Sequence, residues 1–196
     1  MKSSINFKIA TDALKARAKF QPIERAVLTE GYQVLSEPLN KEEKDFLKRL
    51  LEVTMQVCPM EQKQCYHNSQ WLIFNWETLF KEDYPNIDVQ YAEGFVALPE
   101  MPVFPINHGF ILINGKLVDP TLIVKGHRSG LKQLPNRIIG EIPDGYVYLA
   151  MKLPNRDIVQ NMATNYETRT LLDDWENGWP YVKKYMDEIK KEKFKN

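Results

Sequence analysis

Cysteine is scarce in this chain, long apolar runs are missing, and neither sign of charge is in excess. Of 196 residues only 2 are cysteines, Cys58 and Cys65, too few for the multiple bridges that staple small secreted domains, and both are expected to stay thiols in a reducing compartment. The 26 basic and 26 acidic side chains cancel. That removes the overall field that would draw a protein onto nucleic acid or an anionic membrane, although a local basic patch stays open. The apolar stretch around Trp71 to Trp76 falls far short of the roughly 20 residues a membrane span needs. The opening MKSSINFKIATDALKARAKF is charged and lacks the apolar centre of a signal peptide, so a cytoplasmic location is expected. No repeat, low-complexity tract or Gly/Ser linker divides the chain; LPNR recurs at 134–137 and 153–156 in unmatched surroundings. A single domain over 1–196 is expected, with a core over residues 40–152 and helical extensions at both ends.

What is present reads as α+β. The first 35 residues are helical in patches, broken at Gln21-Pro22 and again at Glu37-Pro38. Asn40 followed by Glu43 is a capping-box signature, and Phe46, Leu47, Leu50 and Leu51 then recur at helical spacing to about Val57. After Pro59 and a polar loop, Cys65, Ser69, Leu72, Trp76 and Leu79 fall on one helical face, with Cys65 at its N-terminal end. Trp71, Ile73, Phe74 and Phe80 widen the apolar surface, which predicts a helix surrounded by protein. Strand signals follow in DVQYAEGFVAL (88–98), GFILI, KLVD and GYVYLAM (145–151), and the tail returns to helix with a break near Asn177-Gly178. The proline-rich connection PEMPVFP before His108 favours stiff, extended backbone and is expected to wall a cleft.

The most informative stretch is HGFILINGKLVDPT, residues 108–121. Asn-Gly between apolar runs signals a type I′ hairpin, because both central positions of that turn need positive φ. Counting outward, Ile113 pairs with Lys116, Leu112 with Leu117 and Ile111 with Val118. Alternation then puts His108, Phe110, Leu112, Leu117 and Asp119 on one face. His108 and Asp119 become diagonal neighbours, near enough for a carboxylate to fix the tautomer of the imidazole. That is the relation of a catalytic base to its orienting acid. Cys65 is the candidate nucleophile, since amides and dipole at a helix N-terminus favour a thiolate.

A cysteine opening a buried helix, a strand with His-Gly-Phe, and a second strand ending Val-Asp-Pro-Thr resemble the transglutaminase-like branch of the papain-like cysteine enzymes. Within that superfamily CYHNSQWL, YAEGFVALP and HGFILINGKLVDPT look like a group of small bacterial and phage proteins; the likeness spans roughly residues 60–125. The resemblance implies a central helix with an N-terminal cysteine packed on an antiparallel sheet with flanking helices. It implies Cys65 as nucleophile, His108 as base and Asp119 as orienting acid, acting through an acyl-thioester in an amide, peptide or thioester hydrolase or transferase. Phe110 stands where family members often have tryptophan, and Pro59 where papain-like proteases place the oxyanion glutamine. Oxyanion or cleft candidates are therefore Gln64, Tyr66, Asn68 and Glu93, together with the backbone N–H of Cys65.

Blander readings stand beside these. Free cysteine is commonly buried as a small hydrophobe, a histidine at a strand edge can be structural, and Asp-Pro often only starts a turn. Cys58 reads as structural. A zinc site from Cys58, Cys65 and His67 matches no common spacing, and no cofactor is expected. His67 would line the cleft mouth or cap its helix, and His127 would be a solvated loop residue. Glu93 either faces solvent or is an inward carboxylate needing a partner, and Gly94 permits a bulge or a close approach. Asn68 and Ser69 fit first-turn hydrogen bonding. The alternative to an enzyme is a catalytically inactive scaffold of the same fold that binds and modulates another protein. The unknown partner would be an acyl or protein substrate, with no nucleic acid and no membrane.

Overall fold

A computed structural model of the protein describes residues 2–165 and 167–194. Two helices, α1 (Lys2–Arg17) and α2 (Pro22–Glu30), precede a short strand β1 (Tyr32–Val34). Proline at the first turn of α2 suits a position whose N–H has no helical partner. The apolar spacing after Asn40 builds α3 (Lys41–Val57), closed at its start by the anticipated reciprocal cap: Glu43 N donates to Asn40 Oδ1 at 2.9 Å, and Asn40 N to the Glu43 carboxylate at 2.7 Å. That carboxylate also receives Asn114 Nδ2 at 3.0 Å and Lys116 Nζ at 2.9 Å, so one capping residue ties α3 to the hairpin turn.

The cysteine-bearing helix α4 (Cys65–Asn75) runs on into a π-helical turn, Trp76–Phe80. The wider turn shifts the buried stripe by one residue. Phe80 is buried and Leu79, expected on that stripe, is 57% exposed. Strands β2 (Val89–Ala97), β3 (Ile106–Ile113), β4 (Lys116–Asp119), β5 (Ile138–Ile139) and β6 (Val147–Lys152) follow, then helices α5 (Asn155–Asn165) and α6 (Lys183–Lys193). The strands form one antiparallel sheet in the order β1-β6-β2-β3-β4-β5.

The sheet curls until its two edges meet: Glu37 N, beyond β1, donates to Gly140 O, beyond β5, at 3.1 Å. Inside the curl lies a small core holding Val34, Ala92, Phe110, Leu117, Ile138 and Tyr148. The larger core fills the space between the outer face and the helices, with Leu50, Leu72, Ile73, Tyr91, Phe95 and Ile111 fully or almost fully buried. Asn114 and Gly115 take φ of 50° and 83°, and the hairpin register is the counted one. At Gly94 an added Cβ would lie 2.0 Å from Leu149 O, so the glycine serves the close approach of β6 rather than a bulge. The connection at 98–105 is pinned by two turns and by Arg17 Nη1 donating to Pro105 O at 3.1 Å. No helix among the described residues is long and apolar enough to cross a membrane.

Candidate active site

Three elements bring the predicted triad together. Cys65 is the first residue of α4, and the N–H of Asn68 is the first to bond a preceding carbonyl, that of Gln64, at 2.9 Å. The amides of Cys65, Tyr66 and His67 therefore have no carbonyl of their own helix to bond, as at any helix start. α4 lies against β3 because Gly109 carries no side chain: a Cβ there would meet Tyr66 Cδ1 at 2.8 Å and Tyr91 Oη at 3.0 Å. Ser69 Oγ donates to Gly109 O at 3.1 Å and fixes the contact. This sets Cys65 beside His108, the neighbour of Gly109, with both in the wall of one cleft, where the sulfur acts on the imidazole.

The other side of the imidazole meets Asp119, with Nε2 and Oδ2 2.7 Å apart. This pair leaves Nδ1 for the cysteine. Asp119 is fully buried and every acceptor position is used: Tyr148 Oη donates to Oδ2 at 2.7 Å, while Thr121 N and Leu122 N donate to Oδ1 at 2.9 and 3.0 Å. Burial would push this carboxyl up, but the His108 charge and the converging donors hold it below its ordinary value. Burial likewise works against the charged imidazole. The Asp119 charge, its hydrogen bond and the Cys65 sulfur outweigh that and raise His108 to about 10. The site thus favours an imidazolium held between a carboxylate and a sulfur at neutral pH.

The triad opens on a cleft of about 370 Å³ lined by Gln62, Lys63, Cys65, His108 and Leu122, with Ile106 and Ile123 as apolar flanks. Lys63 sits there in the left-handed region, φ 64°. Gln64 is exposed, does not cap the helix and is not in the lining. The stiff wall expected from PEMPVFP is also misplaced. Met101, Val103 and Phe104 of that stretch are exposed, and the lining begins only at Ile106.

No family model, curated protein or solved structure matches this chain. The resemblance to papain-like enzymes therefore rests on the motifs alone.

The remaining candidates support the site from outside the cleft. Asn68 is buried and binds the backbone of Glu61 twice (3.0 and 2.7 Å) and Thr121 Oγ1 at 2.8 Å, joining the loop before Cys65 to the turn after Asp119. Tyr66 is half-buried over Gly109, and burial and the nearby Glu93 charge push its hydroxyl well up. Glu93 is an inward carboxylate, buried on β2, which accepts from Tyr91 Oη (2.8 Å), Thr170 Oγ1 (2.7 Å), Leu171 N (2.7 Å) and Leu172 N (3.2 Å). Burial raises its pKa against those donors. Gln70 grips the same strap at Arg169, donating to its carbonyl and accepting from its N–H at 3.1 Å. His67 neither lines the cleft nor caps the helix; it pairs with Cys58 Sγ at 2.8 Å and Thr168 Oγ1 at 3.2 Å. His127 is half-buried rather than solvated, and its Nε2 has no partner among the described residues. Among those residues no group of three ligating side chains could hold a metal ion. Tyr148, Thr121 and the strap at 167–172 were not anticipated: their contacts join segments far apart in sequence.

Proposed function

We propose that the protein is a cysteine-dependent acyl-transfer enzyme acting on a carboxamide, peptide, ester or thioester. One observation carries the reading: His108 is held by a fully buried Asp119 at 2.7 Å and shares the wall of an open cleft with Cys65. In the forward step the Cys65 sulfur bonds to the carbonyl carbon, the carbonyl electron pair moves onto oxygen, and the N–H of Cys65 donates to that oxygen. As the tetrahedral species collapses, the bond to the leaving group breaks. The proton of His108 goes to the departing amine, alcohol or thiol, leaving an acyl-thioester on Cys65 and a neutral imidazole. Water or an amine then attacks the thioester carbonyl and gives its proton to His108; the bond to the Cys65 sulfur breaks, the acid or amide leaves, and the starting pair is restored. Asp119 holds the imidazole with its proton on Nε2 throughout, the role a buried carboxylate takes in such triads.

An activated ester tests the reading without knowledge of the natural substrate. Intact-mass and peptide mapping after incubation with p-nitrophenyl acetate should find one acetyl group on Cys65, absent in Cys65→Ala and formed at least tenfold more slowly in His108→Ala. Acetylation at the same rate in His108→Ala would reject it.

A further inference from the structure

A second cavity, of about 500 Å³, lies next to the cleft and is lined by Arg17, Glu24, Asn107, Asp173, Trp179 and other residues. The two spaces share a wall. Asn107 belongs to the walls of both spaces and immediately precedes His108.

The charges in this cavity do not balance. The Arg17 guanidinium is taken by Glu24, whose side chain is almost fully buried, at 2.5 Å. Asp173 is exposed, and its carboxylate accepts from Trp179 Nε1 at 3.1 Å. Among the described residues no cation pairs with it; Arg169 pairs instead with Asp174 and Glu176. The indole that orients the carboxylate is itself half-buried in the same wall, with Met186 also in the lining. Lys183 and Lys190 line a separate depression that shares Trp179 and Met186. A carboxylate without a counter-ion beside an aromatic ring and an aliphatic side chain is the surrounding an alkylammonium or guanidinium on a short apolar stem requires.

Resting on the acyl-transfer reading of Cys65, we propose that the Asp173–Trp179 cavity is a subsite for a cationic side chain of a polypeptide substrate whose reacting carbonyl sits at Cys65. A cation in this cavity gains an exposed ion pair with Asp173 and the face of an exposed ring. Together these correspond to a preference of roughly threefold to thirtyfold for a cationic ligand.

The test uses alkylation of Cys65 in the full chain, located by mass spectrometry, so it reads the subsite whether or not the cysteine is catalytic. Rates are compared for iodoacetamide, for iodoacetamides bearing a trailing ammonium on two to six methylenes, and for the matching carboxylate-bearing series. The ammonium series should react at least threefold faster than iodoacetamide at one intermediate length, and the carboxylate series more slowly. Asp173→Asn, which keeps an oxygen for Trp179 Nε1, should lower the ammonium ratio toward one, leaving only what the Trp179 ring supplies. Glu82→Gln, the same charge change at an exposed residue outside both cavities, should leave it unchanged. Equal rates for all probes, or an ammonium ratio unchanged by Asp173→Asn, overturn the proposal. Loss of p-nitrophenyl acetate turnover with the ratio intact would instead reject the acyl-transfer reading and keep the subsite. A final arm separates two sources of the cation: peptide esters with lysine beside the reacting carbonyl should outcompete the norleucine analogue for Cys65. If free alkylamines speed release of acetyl-Cys65 in an Asp173-dependent way while that lysine preference is missing, the cation is the acyl acceptor and the donor assignment is overturned.

Discussion

Asp119→Asn is the sharpest perturbation this site offers, because the side chain keeps its shape while its hydrogen-bonding sense is reversed at one oxygen. In the native site Oδ1 takes two backbone N–H groups and Oδ2 takes His108 Nε2 and Tyr148 Oη. Asparagine has one acceptor, and the two backbone donors claim it. The amide nitrogen must then face His108 and donate to Nε2, which moves the imidazole proton to Nδ1, opposite Cys65. His108 loses the charge that raised it to about 10, and burial drives it neutral. Wrong-tautomer substitutions of this kind cost about 10⁴ in turnover where a triad operates. A direct readout is alkylation of Cys65 by iodoacetamide at pH 6.5. Losing the imidazolium that favours a thiolate should slow Cys65 at least tenfold. Tyr148→Phe is the control: it removes one neutral donor, costs about 1 kcal/mol of stability, and leaves the tautomer alone. Wild-type alkylation in Asp119→Asn, or equal slowing in Tyr148→Phe, would refute the tautomer argument.

Gly109→Ala should force α4 off β3, since the new Cβ would sit 2.8 Å from Tyr66 Cδ1. Overpacking of this kind costs about 1–3 kcal/mol by urea denaturation, and Cys65 alkylation should slow with it. Glu93→Gln places an amide N–H against one of two backbone donors and should cost about 2–4 kcal/mol in the same assay, with early proteolysis near 167–174 as the strap loosens; unchanged cleavage there would sink the idea that Glu93 holds it. The pH dependence of stability follows from His108. Its folded value of about 10 lies above the ordinary 6.5, so its contribution is complete below pH 6.5 and is lost as pH rises through 10. Urea midpoints should fall over that interval in wild type and fall less in Asp119→Asn.

The parts of the fold that the sequence makes legible are those whose determinants are local. The capping box at Asn40 and Glu43 and the Asn114-Gly115 turn each involve residues within four positions, and both take the form their chemistry requires. Periodicity fails where a single backbone change alters the phase: the π-helical turn at Trp76–Phe80 exposes Leu79 and buries Phe80. β1 and β5 span three and two residues. Neither is long enough to show alternation, and each becomes a strand only because a neighbour with the right register lies beside it.

The site divides along the same line. His108 and Asp119 are placed by counting from one turn, whereas Cys65 reaches them only through a contact between α4 and β3 that Gly109 permits. A glycine after a histidine carries that message in the sequence, but it can be read only once something is known to pack against it. The buried polar residues are less legible still. Asn68, Gln70 and Glu93 look like ordinary helix and strand polars, yet each is buried and each spends its hydrogen bonds on a segment distant in sequence. A buried amide or carboxylate must find such partners or destabilise the fold. Those partners fix the turn after Asp119 and the strap beyond α5. Asp173, directly after the strap, lines the cavity that shares Asn107 with the cleft. The candidate catalytic groups are therefore set by one hairpin and one helix start, while the space beyond them is shaped by a C-terminal segment that no motif announces.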